Sequence, residues 1–185
     1  MSRFSRRGFA LGLMAAGSLA ACNNGIGSSA GATIDARVDA TLEQMYTEFP
    51  GTRDLASRAS GLLVMPLITN AGFGFGGSFG RGALRVGQST VDYYSATTGS
   101  AGLQIGAQQF SSVLFFMTPD ALLEFRQAPG WATGASIDYA FSNQSDMLRA
   151  ETTTSLSPVI AVVFGQTGLR VGATLEGSKY TRIIP

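Results

Sequence analysis

Ala71-Gly72-Phe73-Gly74-Phe75-Gly76-Gly77-Ser78-Phe79-Gly80-Arg81-Gly82 is the stretch on which the fold turns. Residues 72–77 satisfy G-x-G-x-x-G, and Asp92 follows at the distance where a dinucleotide site looks for its ribose-binding acid. That chemistry needs the glycines at a strand-to-helix turn, so that the helix N-terminus meets the pyrophosphate. Ser78-Phe79-Gly80-Arg81-Gly82 opens no helix. The alternation predicts a strand instead, with Gly72, Gly74 and Gly76 on one face and Phe73 and Phe75 on the other. Bare backbone lets another element approach closely, and the aromatic face supplies buried area.

Outward from this stretch the same style continues. Leu62 to Pro66 (LLVMP), Ser112 to Met117 (SVLFFM) and Val159 to Phe164 (VIAVVF) are short, apolar and bounded by turn residues, as buried strands are. Leu103, Ile105 and Ala107 alternate with polar or small residues, and so do Leu169, Val171, Ala173 and Leu175. Leu84-Arg85-Val86-Gly87, Leu103-Gln104-Ile105-Gly106 and Leu169-Arg170-Val171-Gly172 repeat one pattern at unequal separations that share no period, which excludes a solenoid. Thr118-Pro119-Asp120 predicts a capped helix through Gln127. Upstream, Ile34, Val38, Leu42, Met45 and Phe49 recur at helical spacing, with Thr33 as N-cap, and Thr52 to Ser60 predicts a second short helix. The expected fold is α+β: N-terminal helices packed on a curled, mainly antiparallel, Gly-rich sheet that can close into a barrel, plus one internal helix.

Composition removes several chemistries. The 185 residues contain no His and one Cys, which excludes Ser-His-Asp and Cys-His catalytic sets, His-ligated metals, an internal disulfide and a cysteine-ligated cluster. With 13 Lys+Arg against 12 Asp+Glu there is no basic excess to attract nucleic acid. Asp120 and Glu124 read as a solvated helix face, Asp138, Asp146 and Glu151 lack metal-loop spacing, and Ser95, Ser100, Ser112 and Lys179 stand near no recognisable base. No catalytic residue, metal or cofactor is expected.

The beginning of the chain reads as an address. Arg3, Arg6 and Arg7 precede an uncharged run from Gly8 to Ala21, too short to span a bilayer, so residues 1–21 form a signal peptide. Ser5-Arg6-Arg7-Gly8-Phe9 resembles a twin-arginine export signal. Leu19-Ala20-Ala21-Cys22 resembles a bacterial lipobox, in which cleavage leaves Cys22 to carry acyl chains such as palmitate, enough for stable anchoring. Residues 22–32 then form a lipidated flexible linker and residues 33–185 the domain. Loss of the three arginines leaves 10 basic and 12 acidic residues, a mature charge of minus 2. Asn23 after the lipobox cysteine favours the outer membrane, facing the periplasm.

Four blocks carry a family resemblance: Leu62 to Pro66, Ala71 to Gly82, Gly99 to Gln108 and Gly168 to Gly177. In this order and spacing they are similar to the SYLF domain, over about Ala40 to Ile183. The resemblance implies a lipid-binding domain. Eukaryotic members are associated with phosphoinositide membranes and, in some cases, actin, and bacterial members are commonly exported proteins or lipoproteins. The expected function is therefore a membrane-anchored envelope lipoprotein with a lipid-binding domain. The alternative is a scaffolding lipoprotein that binds another envelope protein. Actin is not an expected partner in a bacterial envelope. The candidate lipid-binding cations are Arg81, expected on an exposed turn between Gly80 and Gly82, with Arg85, and Arg37, Arg53 and Arg58 on the mixed-charge face of the early helices. Tyr94-Ser95-Ala96-Thr97 replaces the Trp-Ser-x-Pro of many members, and Phe141-Ser142-Asn143 replaces a Gly-Pro-containing turn. Both are expected in connections that shape a ligand rim.

Overall fold

The computed structural model describes residues 26–132, 137–139, 157–168 and 177–185, with the side chains of 73–75, 100–106, 137–139 and 166–168 left aside. Residues 1–21, Cys22, Phe141 to Asn143 and Leu169 to Glu176 fall outside this set. No helix among the described residues is long and apolar enough to cross a membrane.

Helix α1 spans Ser29–Glu48 and begins earlier than expected. Its N-cap is Ser28, whose hydroxyl accepts from the Gly31 amide at 2.9 Å, and not Thr33, whose hydroxyl donates back to the Ser29 carbonyl inside the helix. The last four residues assigned to the linker, Ser29 to Ala32, are therefore helical, because two alanines and a capped serine offset the one glycine among them. Ile34, Val38, Thr41 and Met45 form the buried stripe, and Pro50-Gly51 ends the run. Helix α2, Thr52–Arg58, follows, with the Thr52 hydroxyl donating to the Phe49 carbonyl at 2.7 Å. Helix α3 is Pro119–Gln127, with Thr118 as N-cap and Pro119 in the first turn, as the sequence predicts.

Strands β1 (Gly61–Val86) and β2 (Ser89–Phe116) form one very long antiparallel hairpin, turned at Gly87 with φ 60°. Along its other edge β2 pairs with β6 (Lys179–Ile183) at Tyr93 to Thr97 and with β5 (Val159–Gly168) at Gln108 to Phe116. Strand β3 (Trp131–Ala132) pairs with β6, and β4 (Ile137–Tyr139) adds to β5 in parallel. The result is an α+β fold on a curled, largely antiparallel sheet.

The curl has visible causes. An extra residue in β1 between Met65 and Ile68 and another in β5 between Phe164 and Thr167 flank the same Phe110-Ser111 step of β2. Gly165, with φ 63°, occupies the β5 bulge, and the Ser111 hydroxyl donates to the Pro66 carbonyl at 2.7 Å in the other. The second half of β1 then folds over the first. A Cβ on Gly82 would collide with the Val64 carbonyl oxygen and lie 2.6 Å from the Met65 sulfur, and one on Gly80 would lie 2.8 Å from the Leu67 carbonyl oxygen. Gly80 and Gly82 are thus glycines at which another part of β1 approaches closely. The G-x-G-x-x-G stretch itself runs through the middle of β1, far from the N-terminus of any described helix, so no phosphate cradle forms.

Alternation sorts the core into two layers. Leu62, Val64, Ala83, Tyr93, Val113, Phe115, Ile160 and Val162 meet α1 and α2. Leu63, Met65, Leu84, Tyr94, Leu114, Phe116, Ala161 and Val163 face the other way, toward α3. There Phe125 is the hub, with ring centroids 4.7 Å from Tyr94, 4.8 Å from Phe116 and 5.4 Å from Trp131. Helix cover on both faces explains why these strands read as continuous apolar runs despite antiparallel pairing.

Candidate functional site

The register places three rows of residues on the outer face of β1, β2 and β6, beyond the cover of α1. The first row is Arg81, Ser95 and Thr181, the second Phe79, Thr97 and Lys179, and the third Gly77 and Gly99. All are exposed or half-buried, whereas their alternates Gly80, Gly82, Tyr94, Ala96 and Tyr180 are buried on the inner face. Phe79 is 51% exposed, a large aromatic surface in water, and Leu67, whose carbonyl abuts Gly80, is also exposed. The Arg81 guanidinium lies 5.7 Å from the centre of the Phe79 ring, which holds the charge along the sheet. The aliphatic stem of Lys179 passes over Gly130, where any side chain would obstruct it. The Ser95 and Thr97 hydroxyls donate to the Thr181 and Lys179 carbonyls over 3.4 and 3.5 Å, contacts long enough to be exchanged easily for a better acceptor.

Most other described cations are occupied. Arg85 places Nη2 2.6 Å from Asp39 and 3.8 Å from Asp35, donates through Nη1 to the Gln88 carbonyl at 2.9 Å, and leaves 11% of its side chain in solvent. Asp35 also accepts from Thr90 at 2.7 Å and from the Tyr93 hydroxyl at 2.8 Å. Burial, then this hydrogen bond and the Asp35 charge, push the Tyr93 hydroxyl up to about 12. Arg85 is therefore a staple between α1 and the hairpin and is withdrawn from any ligand. Arg53 pairs with Glu43 at 3.3 Å and lies 4.6 Å from the Tyr46 ring centre, and Arg58 pairs with Asp54 at 2.6 Å. Arg126 and Arg182 converge on Asp92 at 3.0 and 3.5 Å, tying α3 and β6 to β2.

Among the described residues, Arg37, Arg81 and Lys179 carry no ion pair, and two of these three share the outer sheet face with no described carboxylate beside them. Arg37 stands apart on the exposed side of α1, among Asp39, Glu43 and Glu48. The apolar stripe of α1 is spent on the core. Arg81 does not sit on a turn. It projects from the strand interior, because Gly80 and Gly82 are required beneath β1 and not for a reversal of the chain. Tyr94 to Thr97 likewise lies in β2 and not in a connection, and it contributes Ser95 and Thr97 to the face. Lys179, which sequence reasoning set aside for want of a catalytic context, is brought to the face by pairing with Thr97, far away in the chain. The one local signal for it is the exposed, buried, half-buried alternation of Lys179, Tyr180 and Thr181.

Residues 97–182 match the family model described as Ysc84, Las17-binding protein actin regulator. The matched span is the C-terminal part of the resemblance read from Ala40 to Ile183, and it contains β2 from Thr97 onward, α3, β5 and most of β6. No curated protein matches the chain.

Proposed function

Over residues 97–182 the chain is a member of the Ysc84 (SYLF) family, and we propose that it is a non-enzymatic, acyl-anchored protein of the bacterial envelope whose domain contacts anionic lipid through the outer face of β1, β2 and β6. Cys22 is the anchoring residue in this reading, and the outer membrane, facing the periplasm, is its place. The observation that carries the lipid contact is the grouping of two cations that carry no ion pair among the described residues, Arg81 and Lys179, with the exposed Phe79 on one face. Aromatic rings and basic side chains together suit the headgroup level of a bilayer. Each basic residue near an anionic surface contributes about 1 kcal/mol, so the two together supply about 2 kcal/mol, roughly a 30-fold preference for anionic over neutral lipid.

The test uses the full-length Cys22→Ser chain, which cannot be acylated, floated with phosphatidylglycerol-containing vesicles and with pure phosphatidylcholine vesicles. Binding is expected to the anionic vesicles alone, to weaken with salt, and to fall about 30-fold in the Arg81→Ala/Lys179→Ala double variant with the melting temperature unchanged. Equal binding to both vesicles, or full retention by the double variant, sinks the reading. Failure on both vesicles together with stoichiometric co-purification of an envelope protein on the same face would instead favour scaffolding, and the family description does name a protein, Las17, as what its members bind.

A further inference from the structure

On the side of β6 away from Lys179 and Thr181 stands a second charged centre. Arg182, the register partner of Tyr94, and Arg126 of α3 meet over a single carboxylate, Asp92. Arg126 spends Nε and Nη2 on Asp92 Oδ2 at 3.1 and 3.0 Å. Arg182 turns Nε toward Oδ1 at 3.5 Å and donates through Nη2 to the Arg126 carbonyl at 2.8 Å, in the last turn of α3. Asp92 is withdrawn, with 13% of its side chain in solvent, whereas the guanidinium side chains keep 41% and 53%. Nη1 of each arginine has no acceptor among the described residues. Tyr94 is 2% exposed, and its buried hydroxyl also lacks a hydrogen-bond partner there. Burial raises this hydroxyl above its ordinary value, and Arg182 beside it works against the rise. Guanidiniums are donors only, so the phenolic proton needs an acceptor that they cannot supply. Two positive charges thus face one negative charge, and the centre is an acceptor short. Apolar surface flanks it on both sides. Leu123, 53% exposed, precedes Arg126 by about one turn on the same helix face. Ile184, 77% exposed, follows Arg182 by two residues, and the intervening Ile183 packs toward α1.

We propose that Arg126, Arg182, Leu123 and Ile184 form a docking surface for a protein segment that presents one Asp or Glu side chain between apolar residues. The occupant follows from charge complementarity: a carboxylate brings the missing negative charge and two acceptor oxygens. It enters between the guanidiniums, taking the free Nη1 donors with one oxygen and, as the half-exposed Arg182 side chain swings aside, the Tyr94 proton with the other. A carboxylate at the end of a chain would leave one apolar flank uncovered, so an acid within a segment, with apolar neighbours before and after it, matches Leu123 and Ile184 together. A bilayer fits less well, because Asp92 pins both guanidiniums in fixed directions that suit one planar carboxylate. Lys179 and Thr181 point to the other side of β6, so this surface is independent of the lipid contact proposed above and is open at the same time.

The first test leaves the protein unaltered apart from Cys22→Ser in the full-length chain. The probe is the blocked peptide acetyl-Ala-Leu-Glu-Leu-Ala-amide, compared with its Gln counterpart and with acetate, and the readout is the arginine Nε–H resonances. Saturable shifts at Arg126 and Arg182 with the Glu peptide, at least about tenfold weaker with the Gln peptide, are expected, the loss that one charge-assisted hydrogen bond brings. Absence of shifts at these arginines, or equal affinity for the two peptides, overturns the proposal. Acetate binding as tightly as the Glu peptide overturns the protein surface and leaves an anion site alone. Two variants then separate binding from folding. Leu123→Ser/Ile184→Ser keeps both arginines and should weaken the Glu peptide with the melting temperature unchanged, and full retention overturns the apolar flanks. Tyr94→Phe removes a hydroxyl that the fold leaves without a partner, so weaker peptide binding at an equal or higher melting temperature is expected, and parent-like binding overturns its part in the site. Loss of binding to phosphatidylglycerol vesicles in Leu123→Ser/Ile184→Ser would reassign the surface to the bilayer and overturn the protein partner.

Discussion

The same two strands meet two different fates along their length. Near Leu62 to Met65 and Val113 to Phe116 the β1–β2 hairpin is buried on both faces, between α1 with α2 on one side and α3 on the other. Near Phe79 to Arg81 and Ser95 to Thr97 the inner face is still buried, but the outer face has lost its helix and carries an aromatic ring, hydroxyls and two cations without an ion pair among the described residues. Burial on both faces leaves no freedom of residue choice, so that region is explained by packing. Where the cover stops, stability no longer dictates the residues, and what remains on the surface is free to serve a partner.

The sharpest way to break this contrast is to place one substitution on each side of β1. Gly82→Val forces a branched side chain into the Val64 carbonyl and Met65, and it is expected to cost more than about 4 kcal/mol, read as insoluble protein or loss of the cooperative thermal transition. A stable Gly82→Val protein would mean that β1 does not fold over itself. Next in size is Phe125→Ala, which empties the centre of the aromatic cluster and should cost about 3–5 kcal/mol in denaturant unfolding. Its partner on the open face, Phe79→Ala, should stay within about 0.5 kcal/mol of the parent.

The arginines give a third, smaller contrast. Arg85→Ala removes the staple under α1 and should destabilise by about 1–3 kcal/mol, whereas Arg81→Ala, on the same strand, should leave the melting temperature unchanged. The smallest effect is expected with pH. A tyrosine held neutral by the fold contributes stability that is fully present below its ordinary value near 10 and is lost as pH rises through about 12. Thermal unfolding followed from pH 10 to about 12 should therefore show a decline that is shallower in Tyr93→Phe, with the remainder coming from Tyr46 and Tyr94, both also raised by burial. An identical decline in the variant would detach Tyr93 from the α1 contact.

What the sequence made legible was whatever local chemistry decides. Thr118 and Pro119 fix the start of α3, the runs at Leu62, Ser112 and Val159 become the buried strands, and the glycine stretch is a strand with no nucleotide loop. Less legible was the start of α1, because Ser28 to Ala32 has the composition of a linker until the cap is seen. The close approach at Gly80 and Gly82 was not singled out, since nothing local says which of many glycines in β1 lies beneath the crossing. The outer face was half visible. Phe79 and Arg81 are near neighbours in sequence and Ser95 meets Arg81 across the β1–β2 hairpin, but Lys179 joins them only through pairing between β2 and β6, a contact between distant parts of the chain that no short window contains. The ion pairs of Arg85 were hidden for the same reason: its partners Asp35 and Asp39 lie on another element.

The early start of α1 has a mechanical consequence. With Ser28 fixed as the cap, an acyl chain on Cys22, as proposed above, would be joined to the folded body by six peptide steps, a line of roughly 20 Å when taut. Asp35, near the beginning of the helix, is bonded to Tyr93, and the next outward residue of β2 is Ser95, so the first turns of α1 lie beside the cationic face. A short tether of this kind holds its cargo at an effective concentration in the millimolar range. Under that confinement even a feeble intrinsic affinity for one headgroup is enough to set which way the domain lies on the bilayer.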